Sequence, residues 1–364
     1  MLDFTYIYIL TAVALLLLLT IVNRSSYFEG RKIRYYRLAI LADIAILLGY
    51  VGRDLSEQLS ELVLAHISNT IIYACAPMSM YFLLLASTKE PNKLTGLCKS
   101  LEVLSLVVAI SSPFTGLFYT VSPEAIYSRG PLYIYNEALG ILFTVVWAIS
   151  SFKEFSYVER IEKFYLSVLF AFQVASIVIQ GLFSSYKIIY ICGAFSIMIY
   201  YAFVIEVYGK YDKLTGARNS LYYHSMIKKN NFPSKYTVIM ADANGLKRIN
   251  DTFGHAAGDE LIRAAAWALS TAVGKSGSVY RIGGDEFIAV LNTDDQEAGE
   301  KIEKGIHEAL SRRSSTISGI TVSTGMAVHN PRESFSSTVK RADKLMYEHK
   351  NDFYAATGID RRRH

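Results

Sequence analysis

The strongest constraint in this 364-residue sequence is a series of long apolar segments within its first 208 residues. A helix needs about 20 mostly apolar residues to cross the hydrocarbon core of a bilayer. Segments of this kind lie at 4–22, 37–52, 62–87, 100–122, 133–152, 163–183 and 187–208. They predict an α-helical transmembrane bundle of about seven spans. Six or eight spans are the alternatives, because the second segment is short and the last two nearly adjoin.

Basic residues in the connections between these segments predict how the bundle is oriented. The odd-numbered connections hold 11 Lys and Arg residues, whereas the even-numbered ones hold only Arg53, Arg129 and Lys187. Cytoplasmic loops carry the basic excess in membrane proteins. We therefore expect a multi-pass protein of the inner cell membrane, with its N-terminus outside and residues 209–364 in the cytoplasm. The 4–22 segment is preceded by Asp3 and by no basic residue, unlike a secretory signal peptide. We therefore expect this segment to be a retained span.

Acidic residues fall inside the predicted spans, among them Asp43 in the second and Glu137 near the outer end of the fifth. Ionisable groups at membrane depth are candidates for function. With His66, Asn69 and Gln180, Glu137 could line a cavity for a small-molecule or other signal. The alternative is that these groups only form hydrogen bonds between helices.

Charge and patterning both change after residue 208. Residues 1–208 carry 14 basic and 14 acidic side chains, and residues 209–364 carry 23 and 18. This basic excess is too small and too scattered to predict nucleic-acid binding. The second part instead alternates short strand and helix patterns, which predicts an α/β domain with one central sheet.

The predicted elements of this domain are short and follow one another closely. A buried strand covers Tyr236–Ala241 and stops at Asp242, and helices follow around 248–253 and from Gly258. Strands are predicted at 278–282 and 286–291, a strand or strand pair at 319–328, and a helix at 335–350.

Acidic residues occur at two predicted strand ends. Asp242 is followed by a glycine-containing turn and by Lys247, and the pair Gly283-Gly284 is followed by Asp285 and Glu286. A turn that opens a helix presents free N–H groups suited to phosphate, and glycines allow positive φ in a tight hairpin. Three neighbouring carboxylates would repel one another unless divalent cations held them together.

Magnesium is the expected cation, because it combines one or two carboxylates with substrate phosphates. Two such ions together polarise a phosphate and activate an attacking hydroxyl, which indicates nucleotidyl transfer. The alternative is an ordinary exposed hairpin with acidic residues at its tip.

Five motifs in order resemble the GGDEF domain of bacterial diguanylate cyclases, over residues 212–350. They are DKLTGARN from Asp212, DANGLKRINDTFGHAAGD from Asp242, RIGGDEF from Arg281, STG from Ser323, and Ala342-Asp343 with Tyr347 and Lys350. The resemblance implies an α/β domain, an α+β sandwich related to nucleotidyl cyclase and polymerase palm folds. It divides the chain into a sensor region, 1–208, and a cyclase domain, 209–364.

This resemblance implies the synthesis of cyclic di-GMP and pyrophosphate from two GTP. By position, Asp242, Asp285 and the Ala243 carbonyl would bind two Mg²⁺, or Mn²⁺ in their place, and Glu286 would assist the metals or the 3′-hydroxyl. The remaining positions implied to contact substrate are Asn250 and Asp259 at guanine, Lys247 and Lys350 at the phosphates, and Leu246, Gly283 and Gly284 around the nucleotide. Each domain would hold one GTP, so the active form would be a homodimer.

Several positions depart from the family pattern, including Gly274 and Gly277, which stand where an inhibitory product site often has an RxxD pair. Asn244 stands where many members have aspartate, Leu246 belongs to a pair that is more often aromatic, and Tyr354 replaces a phosphate-binding arginine. Two other functions compete with a membrane-bound cyclase regulated through its membrane region. One is a silent GTP-binding domain that acts as a sensor or scaffold, and the other is a receptor or transporter with a cytoplasmic interaction module.

Overall fold

Two compact units make up the chain, Met1–Ile205 and Glu206–His364. The computed structural model describes residues 5–25, 30–88, 90, 92–183, 189–230, 232–312 and 320–357. Lys187 and the first residue of the predicted 319–328 strand lie outside these ranges. Each unit has its own buried clusters and is described by itself.

Long helices dominate the N-terminal unit. Its core includes Trp147, whose ring packs edge-on against Phe170 and Tyr200 with centroids 4.8 Å apart in both cases. The helices in the described part of this unit are α1 (Thr5–Arg24), α2 (Gly30–Leu59), α3 (Leu62–Ala86), α4 (Lys93–Thr115), α5 (Tyr133–Glu154), α6 (Arg160–Leu182) and α7 (Ile189–Lys210).

Six of these helices are long and apolar enough to cross a membrane by length and composition. The exception is α2, whose sequence is interrupted by charged residues, among them Asp43, Arg53 and Asp54. Large apolar side chains project outward from the others, as at Leu17 and Phe114. Six membrane-length helices are therefore found, and a seventh span stays a prediction.

The prediction of a span at 100–122 is wrong at both ends. Helix α4 begins at Lys93 and stops at Thr115, because Gly116 adopts the left-handed conformation (φ +68°) that ends many helices. The apolar residues that follow instead form strand β1 (Tyr119–Val121), which pairs antiparallel with β2 (Tyr127–Arg129). An apolar aromatic run supports a strand as readily as a helix, so periodicity could not separate them.

A four-stranded sheet is the centre of the C-terminal unit. Its strands are β3 (Thr237–Ala243), β4 (Gly277–Arg281), β5 (Glu286–Leu291) and β6 (Val322–Val328). They lie in the order β4-β5-β3-β6, and every neighbouring pair is antiparallel. Strand β3 continues past the predicted end at Asp242 and is buried along its whole length.

Helices cover both faces of this sheet, which confirms the predicted α/β fold. Alternate side chains of a strand point to opposite faces, so Ile239 joins a core with α10 and α11, while Met240 joins one with α8 and α12. The described helices of this unit are α8 (Ser220–Lys228), α9 (Leu246–Phe253), α10 (His255–Val273), α11 (Gln296–Arg312) and α12 (Phe335–Thr357).

Candidate active site

Two acidic residues face each other where β3 ends and β5 begins. Asp242 in β3 is the antiparallel partner of Glu286, the first residue of β5. The Ala243 N–H donates to the Asp285 carbonyl at 3.0 Å. Residues directly opposite in such a ladder have their Cβ atoms about 5 Å apart. The register therefore places Asp242, Asp285 and Glu286 together where β3 ends and β5 begins. We call this end of the two central strands the acidic edge of the sheet.

The turn between β4 and β5 closes on Glu286, whose carbonyl accepts from the N–H groups of Ile282 and Gly283 at 3.0 and 3.3 Å. The prediction that its glycines supply positive φ is wrong, because neither Gly283 nor Gly284 adopts it. A Cβ on Gly283 would lie 2.8 Å from Glu286 Oε2, so any larger residue there would displace the Glu286 carboxylate. A Cβ on Gly284 would meet no atom within 4 Å, so the surface beside it is open.

Asp242 is 3% exposed, and its two carboxylate oxygens differ. Oδ2 accepts a hydrogen bond from Lys350 Nζ at 2.6 Å, whereas Oδ1 is buried and has no hydrogen-bond partner among the described residues. Burial raises the pKa of Asp242, the Lys350 ammonium lowers it, and Asp285 and Glu286 raise it. Lys350, predicted at the phosphates, therefore lies at this edge but pairs with a carboxylate.

Predicted nucleotide-binding residues lie on α9 and α10, which follow β3. Gly245 (φ +75°) precedes α9, and no side chain caps the N-terminus of that helix. Lys247 is exposed on the first turn, after Leu246. Asn250 packs against Gly258 of α10 so closely that a Cβ there would lie 1.9 Å from Asn250 Oδ1. Asp259 follows on α10, half exposed and 3.8 Å from Arg263.

The residues at this edge fit a divalent cation bound together with phosphate. Among the described residues, no group of three or more His, Cys, Asp or Glu side chains is placed to hold a metal by itself. Magnesium needs only one or two carboxylates when substrate phosphates supply the other oxygens. The buried, unpartnered Oδ1 of Asp242 is a hard oxygen donor of that kind.

Sequence reasoning gave no role to the ion pair between Arg281 and Asp212. Arg281 Nη1 lies 3.0 Å from Asp212 Oδ1, and its Nη2 donates to the Gly284 carbonyl at 2.7 Å. Asp212 also accepts from the N–H and hydroxyl of Thr215. The guanidinium thus ties the Gly284 turn to the start of the domain. Both residues belong to recognised motifs, but their pairing spans 69 residues and leaves no local signal.

The side chain of Asn244, a position that departs from the family pattern, points toward β6 and the residue just before that strand. Its Nδ2 donates to Thr321 Oγ1 at 3.2 Å, and its Oδ1 accepts from Ser323 Oγ at 3.0 Å. The side chain is buried and its hydrogen bonds are made within the domain. Asn244 therefore joins the end of β3 to its neighbour.

Residues 209–353 match the family model described as diguanylate cyclase, GGDEF domain. These residues form a GGDEF domain. The match covers every acidic and basic residue placed at the edge of the sheet above, including Asp242, Glu286 and Lys350, and it leaves α1 to α6 outside.

Curated proteins similar to the GGDEF domain include diguanylate cyclases. Diguanylate cyclase A of Treponema denticola is 34% identical over 121 residues, which are 32% of this chain and 33% of that protein. Diguanylate cyclase DgcM of Escherichia coli is 30% identical over 156 residues, 41% of this chain and 38% of that protein. The chain thus spans little more than a third of the length of these two relatives.

A solved structure is similar over the same region. It is the coiled coil and GGDEF domain of DgcB from Caulobacter crescentus in complex with c-di-GMP, 23% identical with a TM-score of 0.37. The alignment covers 43% of this chain and 87% of that one.

Proposed function

We propose that the GGDEF domain condenses two GTP molecules into cyclic di-GMP and releases two pyrophosphates. The observation that carries this proposal is the register that sets Asp242 opposite Glu286 at the edge of the sheet. The similarity of residues 209–353 to diguanylate cyclases supports the same reaction.

In this reaction the 3′-hydroxyl of each GTP attacks the α-phosphorus of the other. A new O–P bond forms at each attack, the bond to the β-phosphate oxygen breaks, and pyrophosphate leaves. Glu286, exposed at the start of β5, would accept the hydroxyl proton or assist the metals. Because each domain presents one such edge and holds one GTP, two copies of the chain must face each other as a homodimer.

Asp242, Asp285 and the Ala243 carbonyl would hold two Mg²⁺, or Mn²⁺ in their place. These ions, when bound, would neutralise phosphate charge and favour ionisation of the attacking hydroxyl. Lys350 pairs with Asp242 Oδ2. Its ammonium could neutralise a triphosphate once cations take over the carboxylate, and Lys247 would add a second positive charge.

Asn250 and Asp259 would select guanine over adenine. An aspartate accepts hydrogen bonds from the N1–H and N2–H of guanine, and the Asn side chain donates to O6. Leu246 lies next to Asn250 against Gly258 and would contact the base. The open surface beside Gly284 would leave space for the nucleotide backbone.

The six apolar helices support a membrane-anchored enzyme. With α2 counted as a seventh span, we infer that the N-terminus is outside and that the GGDEF domain is cytoplasmic, because the basic residues cluster in the odd-numbered connections. A signal bound by the helical region would then regulate GTP condensation.

The test uses the full chain purified in lipid nanodiscs with GTP and Mg²⁺, and mass spectrometry identifies the product. We expect cyclic di-GMP from the wild type and none from Glu286→Gln. Glu300→Gln, an exposed change on α11, is the matched control and should keep full activity. If the wild type binds GTP without making cyclic dinucleotide, the domain is a silent GTP sensor. If it binds no GTP, it is an interaction module.

A further inference from the structure

One cavity among the helices of the N-terminal unit is lined by acidic and amide side chains and, among the described residues, by no basic one. Its polar walls are Asp43 of α2, Asn136 and Glu137 of α5, and Gln173 of α6. Measured as space open to the centre of a water molecule, its volume is about 20 Å³, which is room for one or two waters. Oxygen donors therefore surround a space of the size of one small ion.

Asp43 is the most unusual group in these walls. It is 2% exposed, its Oδ1 accepts from Ser79 Oγ at 2.9 Å, and its Oδ2 is buried with no hydrogen-bond partner in the described part of the chain. The described residues place no basic side chain close enough to interact with this carboxylate electrostatically. A buried carboxylate without a counter-charge is costly. Asp43 is therefore suited to a bound cation.

Gly193 of α7 lies against the unpartnered oxygen of Asp43 and lines the same cavity. A Cβ at this position would lie 2.9 Å from Asp43 Oδ2 and 3.2 Å from Oδ1. Because Gly193 has no side chain, the space beside the carboxylate stays open. Oδ2 therefore borders the cavity as a free oxygen ligand.

A proline helps to bring neutral oxygens to this cavity. Pro77, which also lines it, has no N–H to donate to the Tyr73 carbonyl one turn earlier in α3. Asn136 Nδ2 donates to that carbonyl at 2.9 Å, while its Oδ1 accepts from no described residue. Gln173 Oε1 accepts from Ser196 Oγ at 2.6 Å and keeps a second lone pair. Both amide oxygens are thus available to a cation.

The charge of the walls matches a monovalent ion. Glu137 also lines the cavity, but its carboxylate already interacts with Arg129, which leaves Asp43 as the uncompensated charge. Ca²⁺ takes about six to eight oxygen ligands and Mg²⁺ keeps several waters. Neither arrangement fits a space with room for one or two waters.

We propose that this cavity binds one alkali cation, Na⁺ or K⁺. Asp43 Oδ2 supplies the charged ligand, the amide oxygens of Asn136 and Gln173 supply neutral ones, and a water completes the coordination. A cavity this small brings these oxygens within reach of a single ion. The site lies wholly within the N-terminal unit and does not depend on the proposed reaction of the GGDEF domain.

The experiment measures binding of radiolabelled Na⁺ to the full chain in nanodiscs, in alkaline buffer without nucleotide, with empty nanodiscs as the background. We expect a single saturable site from which K⁺ displaces Na⁺, whereas Mg²⁺ and the bulkier choline do not. Asp43→Asn should weaken Na⁺ binding at least about tenfold, because it keeps the shape of the side chain and loses its charge. Glu57→Gln, an exposed change on the same helix α2, is the matched control and should leave binding unchanged.

Gly193→Ala tests the space beside Asp43 while leaving its charge in place. The added Cβ, 2.9 Å from Oδ2, should weaken Na⁺ binding. Gly209→Ala on the same helix α7, where a Cβ would meet no atom within 4 Å, should bind like the wild type. An unchanged elution volume shows that each variant is folded.

Three results would overturn the proposal. The first is that the folded wild type binds neither Na⁺ nor K⁺, in which case Asp43 holds a proton. The second is that folded Asp43→Asn or Gly193→Ala binds Na⁺ like the wild type. The third is that Mg²⁺ or choline displaces Na⁺ as well as K⁺ does. GTP turnover plays no part in these measurements, so their failure would leave the proposed function untouched.

Discussion

Gly258 gives the sharpest test of the proposed contact between Asn250 and the guanine base. A Cβ at this position would lie 1.9 Å from Asn250 Oδ1, 2.8 Å from its Cγ and 3.0 Å from Leu246 Cδ1. Non-bonded contacts are favourable at roughly 3.5 Å or more. In Gly258→Ala the Asn250 amide must therefore rotate away from its position in this structure.

We expect Gly258→Ala to weaken GTP binding and to leave the free energy of unfolding nearly unchanged. Alanine in α10 gains about 1 kcal/mol of helix propensity over glycine, and this offsets about 0.5–1.5 kcal/mol for a strained Asn250 rotamer. The melting temperature should shift by no more than a few degrees. Losing one or two hydrogen bonds to the base weakens GTP binding roughly tenfold, while ATP binding is unchanged.

Equilibrium binding of non-hydrolysable GTP and ATP analogues to the full chain measures both effects. Gly305→Ala in α11 is the matched control, because its Cβ would make only an ordinary 3.5 Å contact with Ala272. Unchanged GTP affinity in folded Gly258→Ala would refute the role given to Asn250. An equal loss for both nucleotides would refute it as well, because it would place the damage at the phosphates.

Two further predictions concern the turn and a half-buried histidine. Gly283→Ala sets a Cβ 2.8 Å from Glu286 Oε2 and should lower GTP turnover about 10²-fold by displacing that carboxylate. Gly284→Ala has open space and should fold normally but bind GTP more weakly; equal effects in both variants would contradict this difference. Burial, with His349 beside it, lowers the pKa of His307 below 6.5. The unfolded chain therefore binds protons more readily, and stability should fall as pH drops below about 6.5. Thermal melts at several pH values should show a smaller fall for His307→Gln, and an identical fall would contradict the assignment.

The sequence predicted the parts of the GGDEF domain that depend on local pattern. Apolar strands and helical periodicity located β3, β5 and α12, and the order of acidic motifs pointed to one sheet edge. The predicted end of β3 fell short because Asp242 and Ala243 still pair with β5 and β6. A polar residue inside a strand resembles a strand end when its partners are unknown.

Contacts between residues that are far apart in the chain could not be predicted from the sequence. Lys350 reaches Asp242 across 108 residues, so a lysine implied at the phosphates pairs with a carboxylate in the structure. In the N-terminal unit, Arg53 and Arg129 looked from the sequence like ordinary loop charges. Only the packing of α2 against β2 shows a buried guanidinium between two tyrosine rings.

The central claim is that GTP is bound and joined at the edge of the sheet that carries Asp242 and Glu286. The most direct measurement is a structure of the full chain with a non-hydrolysable GTP analogue and Mn²⁺, with the metal located by its anomalous scattering. The account predicts Mn²⁺ bonded to Asp242 Oδ1 and to the phosphates, with Lys350 moved from Asp242 to the triphosphate. An analogue bound elsewhere, with the Lys350–Asp242 pair intact, would contradict it.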